Sequence, residues 1–254
     1  MKTRMSTLIA GVAIAGALAF SSAAVVTAAA PLIPGGPAGS GVCAAQFTAL
    51  KAPVTVDALH AFGDCEIQRR FTTLATLATR VSGSKVLTSS DAAALTAEIG
   101  ATKTGLTGLK ATIDAETSIP ALKADIVKIA TDYRVYLLVG LQVNLVSGAD
   151  RVVASQTVFT KIDTNLAARI AAAKAAGKGT TTAQTDLDAM NKAVTQAVGL
   201  ATPLPATLLP LTPAQYNAGT AGPVLNSART ALVQARDLLK SAVQDAKACR
   251  AALA

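Results

Sequence analysis

Few side chains in this sequence are suited to acid–base or metal chemistry. Among 254 residues there are one histidine, three cysteines and 15 acidic residues. His60 has the apolar neighbours Leu59 and Ala61 and no second ligand at a metal-binding spacing, so we interpret it as a partly buried structural residue. Asp186 and Asp188 point to different faces of a helix and are too few for a calcium loop. We therefore predict no metal site and no cofactor.

Motifs for nucleophilic catalysis and phosphate binding are also missing from the sequence. No serine lies in a Gly-x-Ser-x-Gly turn, and a single histidine gives little support for a catalytic triad. The segment 177–181, Gly-Lys-Gly-Thr-Thr, lacks the upstream glycine of a phosphate-binding loop. Asp114 and Glu116 precede a Thr-Ser pair, where helix capping or charge pairing is favoured over a catalytic dyad. The sequence thus predicts no catalytic residue and no enzymatic activity.

Basic residues outnumber acidic ones by 23 to 15, which gives a formal net charge of +8. These residues form no dense patch, and aromatic residues make up only 3% of the chain, so we do not expect nucleic-acid binding. A modest positive charge instead favours contact with anionic wall polymers or a membrane surface.

Arg134 is the charged residue with the most unusual setting. It lies between Tyr133 and Tyr136, at the edge of the apolar segment 135–141. A buried guanidinium without a carboxylate partner costs several kcal/mol, so we predict a structural cluster that joins Arg134 to an acid on another helix. The candidate acids are Asp114, Glu116 and Asp150. The alternative is a ligand-anchoring role in which Arg134 binds an anionic headgroup.

The N-terminus has the layout of a secretory signal peptide. Lys2 and Arg4 precede an apolar run at residues 8–20, and small residues follow at 27–30. We predict that residues 1–30 are removed near Ala30, which lowers the net charge from +8 to +6. An uncleaved membrane anchor stays open as an alternative, because the apolar length approaches that of a membrane span.

Beyond this segment, residues 31–56 are predicted to form a Pro/Gly-rich linker and an N-terminal extension, and residues 57–254 a helical bundle domain. Apolar residues there recur at steps of three and four, and no segment is dominated by β-branched or aromatic residues. The predicted fold is therefore all-α, an antiparallel bundle of about five helices. The five predicted helices cover approximately 64–81, 89–113, 119–176, 183–201 and 224–253.

The third predicted helix is the longest. A straight helix over 119–176 would be a rod of roughly 85 Å at 1.5 Å per residue, so we predict a kink at Gly140. Its segment 135–141 is apolar on every side and is expected to be buried. We do not predict a membrane span, because Arg134 and Gln142 limit the apolar length.

The three cysteines are Cys43, Cys65 and Cys249. An exported chain meets an oxidising compartment, so one pair is expected to form a disulfide and one thiol to be left over. Antiparallel packing of the first and last predicted helices would bring Cys65 next to Cys249, and we favour this pair. A Cys43–Cys65 bridge and three reduced thiols are the alternatives.

Four short segments stand out: Gly-Leu-Thr-Gly-Leu at 105–109, Ala-Glu-Thr at 115–117, Asp-Tyr-Arg-Val-Tyr at 132–136 and Thr-Pro-Ala-Gln-Tyr at 212–216. With these segments the chain resembles a family of uncharacterised secreted helical proteins of high-GC Gram-positive bacteria. The resemblance covers approximately residues 65–253, and Tyr-Arg-Val-Tyr at 133–136 is its most specific part. Two features depart from the family. Its members commonly have proline near the position of Leu141, and cysteines at positions 65 and 249 are not expected in it. The resemblance implies secretion and a helical bundle, and it implies no chemistry.

These patterns predict a secreted, non-catalytic protein of the cell envelope that acts as a helical scaffold or interaction module. The alternative is a carrier in which loosely packed Ala/Gly-rich helices hold an apolar or anionic lipid-like ligand. The sequence predicts no particular oligomeric state.

Overall fold

The computed structural model describes residues 41–51 and 53–254. The predicted signal peptide, residues 1–30, and the first part of the predicted linker lie outside these residues. A 3₁₀ turn at Gly41–Cys43 is followed by helices α1 to α9, and a π-helical segment lies at Val135–Val139. The helices are α1 (Ala44–Ala49), α2 (Val56–Ser82), α3 (Ser89–Ala115), α4 (Ile119–Thr131), α5 (Gly140–Ala175), α6 (Thr181–Ala201), α7 (Leu204–Leu208), α8 (Pro213–Asn217) and α9 (Ala221–Ala252). The described residues contain no strand, which confirms the predicted all-α class.

Threonine side chains fix the starts of three helices. The Thr55 hydroxyl accepts the N–H of Ala58 at 3.1 Å, and Thr88 caps α3 in the same way. The predicted start of the first long helix at Asp64 is wrong, because Thr55 provides an N-cap nine residues earlier. Thr212 and Gln215 form a reciprocal capping box at α8. Part of the segment between the fourth and fifth predicted helices is therefore helical.

The first hydrophobic cluster is formed by α2, α3, α4 and α7, together with the N-terminal halves of α5 and α9. Helices α2 and α3 are antiparallel, since Asp64 near the start of α2 binds Lys110 near the end of α3. The Nε2 atom of His60 lies 2.9 Å from the carbonyl oxygen of Glu116, in the turn after α3. His60 is thus partly buried, as predicted, and it joins α2 to the turn after α3.

The second hydrophobic cluster is formed by the C-terminal half of α5, most of α6 and the C-terminal half of α9. Helices α5 and α9 both run from the first cluster to the second, so they are parallel to each other. Helix α6 runs back between the clusters and is antiparallel to both. The predicted helical bundle is confirmed, and α7 and α8 bring the chain from the end of α6 back to the start of α9.

The most extensive helix–helix interface joins α6 and α9. Every seventh residue along α9 is small and buried in this part of the chain: Ala228, Ala235, Ala242 and Cys249. The buried residues of α6 alternate by four and three, from Ala183 through Leu187 and Met190 to Ala201. This is the repeat of a coiled coil, and small residues at one position allow the two backbones to approach closely.

The favoured Cys65–Cys249 disulfide is wrong. Cys43 and Cys65 form the bridge, with Cα atoms 5.9 Å apart, and Cys249 is a buried free thiol. Cys249 belongs to the second cluster, whereas the helix that carries Cys65 packs in the first. The last helix, α9, packs along α6 and not against the start of α2. The start of α2 and the end of α9, which were expected to meet, therefore lie in different clusters.

The long third helix bends, but not at Gly140. Helix α4 ends at Thr131, and Arg134 adopts a left-handed backbone conformation with φ 44°. The π-helical segment Val135–Val139 then leads into α5, and Gly140 has ordinary helical angles. The glycine is therefore not where the direction changes, because Arg134 takes up the unusual conformation instead.

One helical stretch, residues 119–175, contains an 18-residue window that is apolar and long enough to cross a membrane. More than half of that window, 56%, is buried inside the protein, as is common for the core helix of a bundle. Gln142 lies within this stretch, and its amide nitrogen donates to the carbonyl oxygens of Leu208 and Leu211 at 2.9 and 3.1 Å. The predicted burial of 135–141 is confirmed for Val135, Leu138, Val139 and Gly140, and it is wrong for Leu137, which is 46% exposed.

Candidate functional site at the junction of α4 and α5

Arg134 is the only described non-glycine residue with a positive φ, and other helices hold its side chain in place. Its Nε atom donates to Oδ1 of Asn217 at 2.6 Å, and its guanidinium lies 5.3 Å from the ring centroid of Tyr216. The amide nitrogen of Asn217 donates in turn to the carbonyl oxygen of Thr131 at 2.9 Å. A left-handed conformation costs a residue with a side chain about 1–2 kcal/mol, which these contacts with α8 offset.

The prediction that Arg134 pairs with a buried acid is wrong. Asp114 instead binds Lys110 at 2.9 Å, and the carboxylate of Glu116 accepts backbone N–H groups of the following turn. Asp150 accepts the backbone N–H of Thr88 at 2.8 Å. Arg134 is only partly buried, so an amide oxygen and an aromatic face suffice where a fully buried guanidinium would require a carboxylate.

Tyr136 packs against a buried ionic cluster of Glu66, Arg69 and Arg70, which the sequence analysis did not predict. Its ring lies 5.0 and 5.1 Å from the guanidinium carbons of Arg69 and Arg70. Both arginines bind the Oε2 atom of Glu66, at 2.7 and 2.6 Å. The cluster thus holds two positive charges and one negative charge below the surface. Burial raises the pKa of Tyr136, and the two arginines oppose part of that rise.

Tyr133 fixes the position of α3 relative to the junction. Its ring packs on Gly105, where an added Cβ would lie 2.5 Å from the Cε1 atom of Tyr133. Burial raises the pKa of Tyr133, and the neighbouring Asp132 carboxylate raises it further. Gly105 is therefore present because the tyrosine ring occupies the space of a side chain.

The Tyr-Arg-Val-Tyr segment consequently contacts three different helices. Tyr133 contacts α3, Arg134 contacts α8, and Tyr136 contacts α2. The terminal nitrogens of Arg134 have no hydrogen-bond partner among residues 41–51 and 53–254. This arrangement is suited to recognition of an anion and offers no obvious nucleophile or general base.

Two open clefts lie elsewhere in the bundle. One, of about 430 Å³, lies between α6 and α9 and is lined by Leu200, Gln234, Asp237, Leu238 and Ser241. The other, of about 180 Å³, lies between α5 and α6 and includes Phe159 and Asn191. Within the described residues, no group of three potential metal ligands is present.

Comparison with known protein families, with functionally described proteins and with solved structures finds no match for this chain.

Proposed function

We propose that this chain is a secreted, non-catalytic protein of the cell envelope that acts as a helical scaffold or interaction module. The observation that carries the proposal is the Cys43–Cys65 disulfide, which ties the N-terminal turn to α2. Disulfides of this kind persist in oxidising compartments outside the cytosol. The predicted signal peptide and the resemblance to secreted proteins of high-GC Gram-positive bacteria point to the same compartment.

A scaffold role is supported by how the potentially reactive side chains are used. His60 binds a backbone carbonyl, Asp150 caps the start of α3, and Lys110 bridges Asp64 and Asp114. Each of these groups joins two structural elements, which is what a rigid support requires. The net charge of +6 that remains after signal-peptide removal favours anionic partners, a wall polymer or a membrane surface.

The alternative, a carrier of an apolar or lipid-like ligand, has its best support in the cleft between α6 and α9. Leu200 and Leu238 give this cleft an apolar lining, but it is open along its length. An open cleft leaves most of a small ligand in water, whereas ligand-binding pockets usually bury roughly 70–90% of the ligand surface. Native mass spectra of the protein before and after delipidation separate the two functions, since only a carrier would lose a bound mass.

The proposed function is tested by expressing the full chain in a high-GC Gram-positive host and separating medium, wall, membrane and cytosol. We expect a product that begins near residue 31 in the medium or the envelope fractions. A matched chain without residues 1–30 should stay in the cytosol. A full-length chain that is found uncleaved in the cytosol, with free thiols at Cys43 and Cys65, would refute the proposal.

A further inference from the structure

We propose that Val127, Arg134 and Leu137 form a docking surface for an anionic lipid membrane, in which Arg134 binds a lipid phosphate. We call these three residues the junction patch. The inference rests on the proposed envelope location and specifies the partner. It concerns a surface formed where α4, the π-helical segment and α8 meet.

Arg134 is held in one orientation by its neighbours. Its backbone is bent into the left-handed region, its Nε atom is bound by Asn217, and Tyr216 supports one face of the guanidinium. These three restraints leave the two terminal nitrogens as the free donors. A guanidinium presents such a pair as a fork that matches two oxygens of a phosphate, and little side-chain entropy is lost on binding when the fork is already oriented.

Two large apolar side chains are exposed on the segments that flank Arg134 in the chain. Val127 is 59% exposed and Leu137 is 46% exposed, two of the four large apolar residues that are exposed in the described chain. Leu137 lies within one turn of Arg134, since its N–H donates to the Arg134 carbonyl at 3.1 Å. The Val127 carbonyl accepts the hydroxyl of Thr131, the residue whose own carbonyl binds Asn217. A continuous chain of hydrogen bonds thus connects both apolar residues to the arginine.

This combination favours a lipid surface over a soluble anionic polymer. A wall polymer would engage the guanidinium but would leave the valine and leucine side chains in water. At a bilayer surface, the same side chains enter the boundary between headgroups and acyl chains while the arginine stays at the level of the phosphates. The net positive charge of the chain assists approach to an anionic leaflet.

The test uses the secreted chain without residues 1–30 and vesicles of phosphatidylglycerol mixed with phosphatidylcholine, or of phosphatidylcholine alone. We expect binding to the anionic vesicles only, weakened by added salt. Arg134→Gln should lower the partition coefficient about fivefold, the change associated with one basic residue at an anionic surface. The matched control is Arg169→Gln, which removes an exposed arginine near the far end of α5 and should change binding little.

A second pair of variants separates lipid docking from simple anion binding. Val127→Ser combined with Leu137→Ser should weaken vesicle binding, whereas Val158→Ser, at an exposed valine on α5, should not. Arg134→Gly keeps the left-handed backbone accessible, so a loss of binding in this variant with an unchanged circular-dichroism spectrum identifies the guanidinium itself.

Three results would overturn the inference. The first is an equal loss of vesicle binding in Arg134→Gln and Arg169→Gln. The second is unchanged vesicle binding in the double serine variant. The third is complete displacement from the vesicles by a soluble polyphosphate at an ionic strength where simple salt has little effect. Any of them leaves the proposed function intact if the chain is still exported. Conversely, vesicle binding by a chain that stays in the cytosol would refute the proposed function alone.

Discussion

The ring of Tyr133 occupies the space that a side chain at position 105 would fill, because a Cβ on Gly105 would lie 2.5 Å from Cε1 and 2.9 Å from the hydroxyl oxygen. The tyrosine comes from the loop after α4, and the glycine from the middle of α3. This contact joins the Tyr-Arg-Val-Tyr segment to the middle of α3, next to the buried core residue Leu106.

Gly105→Ala is therefore expected to destabilise the protein, although alanine is the better helix former. Alanine gains up to about 1 kcal/mol of helix propensity, but the overlap with Tyr133 should cost about 1–3 kcal/mol and outweigh it. Gly108→Ala is the control, since nothing lies within 4 Å of the added Cβ and only the propensity gain should appear. Urea denaturation of both variants measures the difference. Equal stabilisation by both alanines would contradict the predicted contact.

The Asp150 carboxylate is expected to make stability depend on pH. Burial raises the pKa of Asp150, the Asp91 carboxylate raises it further, and the hydrogen bond from the Thr88 N–H opposes the shift. Because the folded protein holds this proton more tightly than the unfolded chain, the group favours folding below its unfolded pKa. That contribution is lost as the pH rises through the folded pKa.

Two substitutions at Asp150 separate its charge from its hydrogen bond. Asp150→Asn keeps an oxygen that can accept from Thr88 and removes the buried charge, so it should be at least as stable as the parent at about pH 7. Its advantage should shrink as the pH falls toward about 4. Asp150→Ala removes the hydrogen bond as well as the charge, so it should be about 1 kcal/mol less stable than Asp150→Asn at both pH values, because the Thr88 N–H is left without its acceptor. Thermal denaturation at the two pH values gives the comparison, and an advantage for asparagine that grows toward low pH would contradict the sign.

Much of the fold is encoded in spacings that are visible in the sequence, since apolar steps of three and four place the long helices. Gln142 interrupts such an apolar segment, yet no local pattern reveals that it binds the carbonyl groups of Leu208 and Leu211, which are 66 and 69 residues away in the chain. Arg134 is similar. Its left-handed backbone depends on partners at 216 and 217, so the bend could not be placed from the neighbouring residues, and Gly140 was the wrong local candidate.

The buried cluster around Tyr136 could have been found in part. Glu66 lies three and four residues before Arg69 and Arg70, which is the spacing of helical ion pairs. The disulfide was harder, because the favoured bridge depended on which helix ends meet. Which helix ends are neighbours is set by the order in which the helices pack, and the sequence of each single helix does not reveal it.

The disulfide itself gives the next prediction. Mass spectrometry of the digested, non-reduced protein should yield a linked Cys43–Cys65 peptide pair and an unmodified Cys249 peptide. Replacing both bridged cysteines by serine should lower the free energy of unfolding by about 3 kcal/mol, the chain-entropy value for a loop of this size. Cys249→Ala is the control, since it removes a thiol without opening a loop. A linked peptide pair containing Cys249 would contradict the structure.

Gln142→Leu is expected to destabilise the protein even though it makes a core position apolar. The substitution leaves the carbonyl groups of Leu208 and Leu211 without the amide donor, at an expected cost of about 1–3 kcal/mol. Gln156→Leu, at an exposed position of the same helix, should change the free energy of unfolding by less than about 0.5 kcal/mol. Chemical denaturation of both variants compares their free energies of unfolding, and it separates the loss of the Gln142 hydrogen bonds from a general effect of introducing leucine. If both variants are equally stable, the Gln142 hydrogen bonds do not contribute to folding.

The close approach of α6 and α9 gives the last prediction. Ala242 is fully buried in the second cluster, one heptad before Cys249, on the helix that forms the most extensive interface with α6. Ala242→Leu should therefore separate the two helices and cost about 1–3 kcal/mol through overpacking. Ala248→Leu introduces the same side chain at an exposed site on α9 and should be nearly neutral. Because the two leucines have equal helix propensity, a difference in melting temperature between them reports the packing of the interface alone, and its absence would refute the close approach.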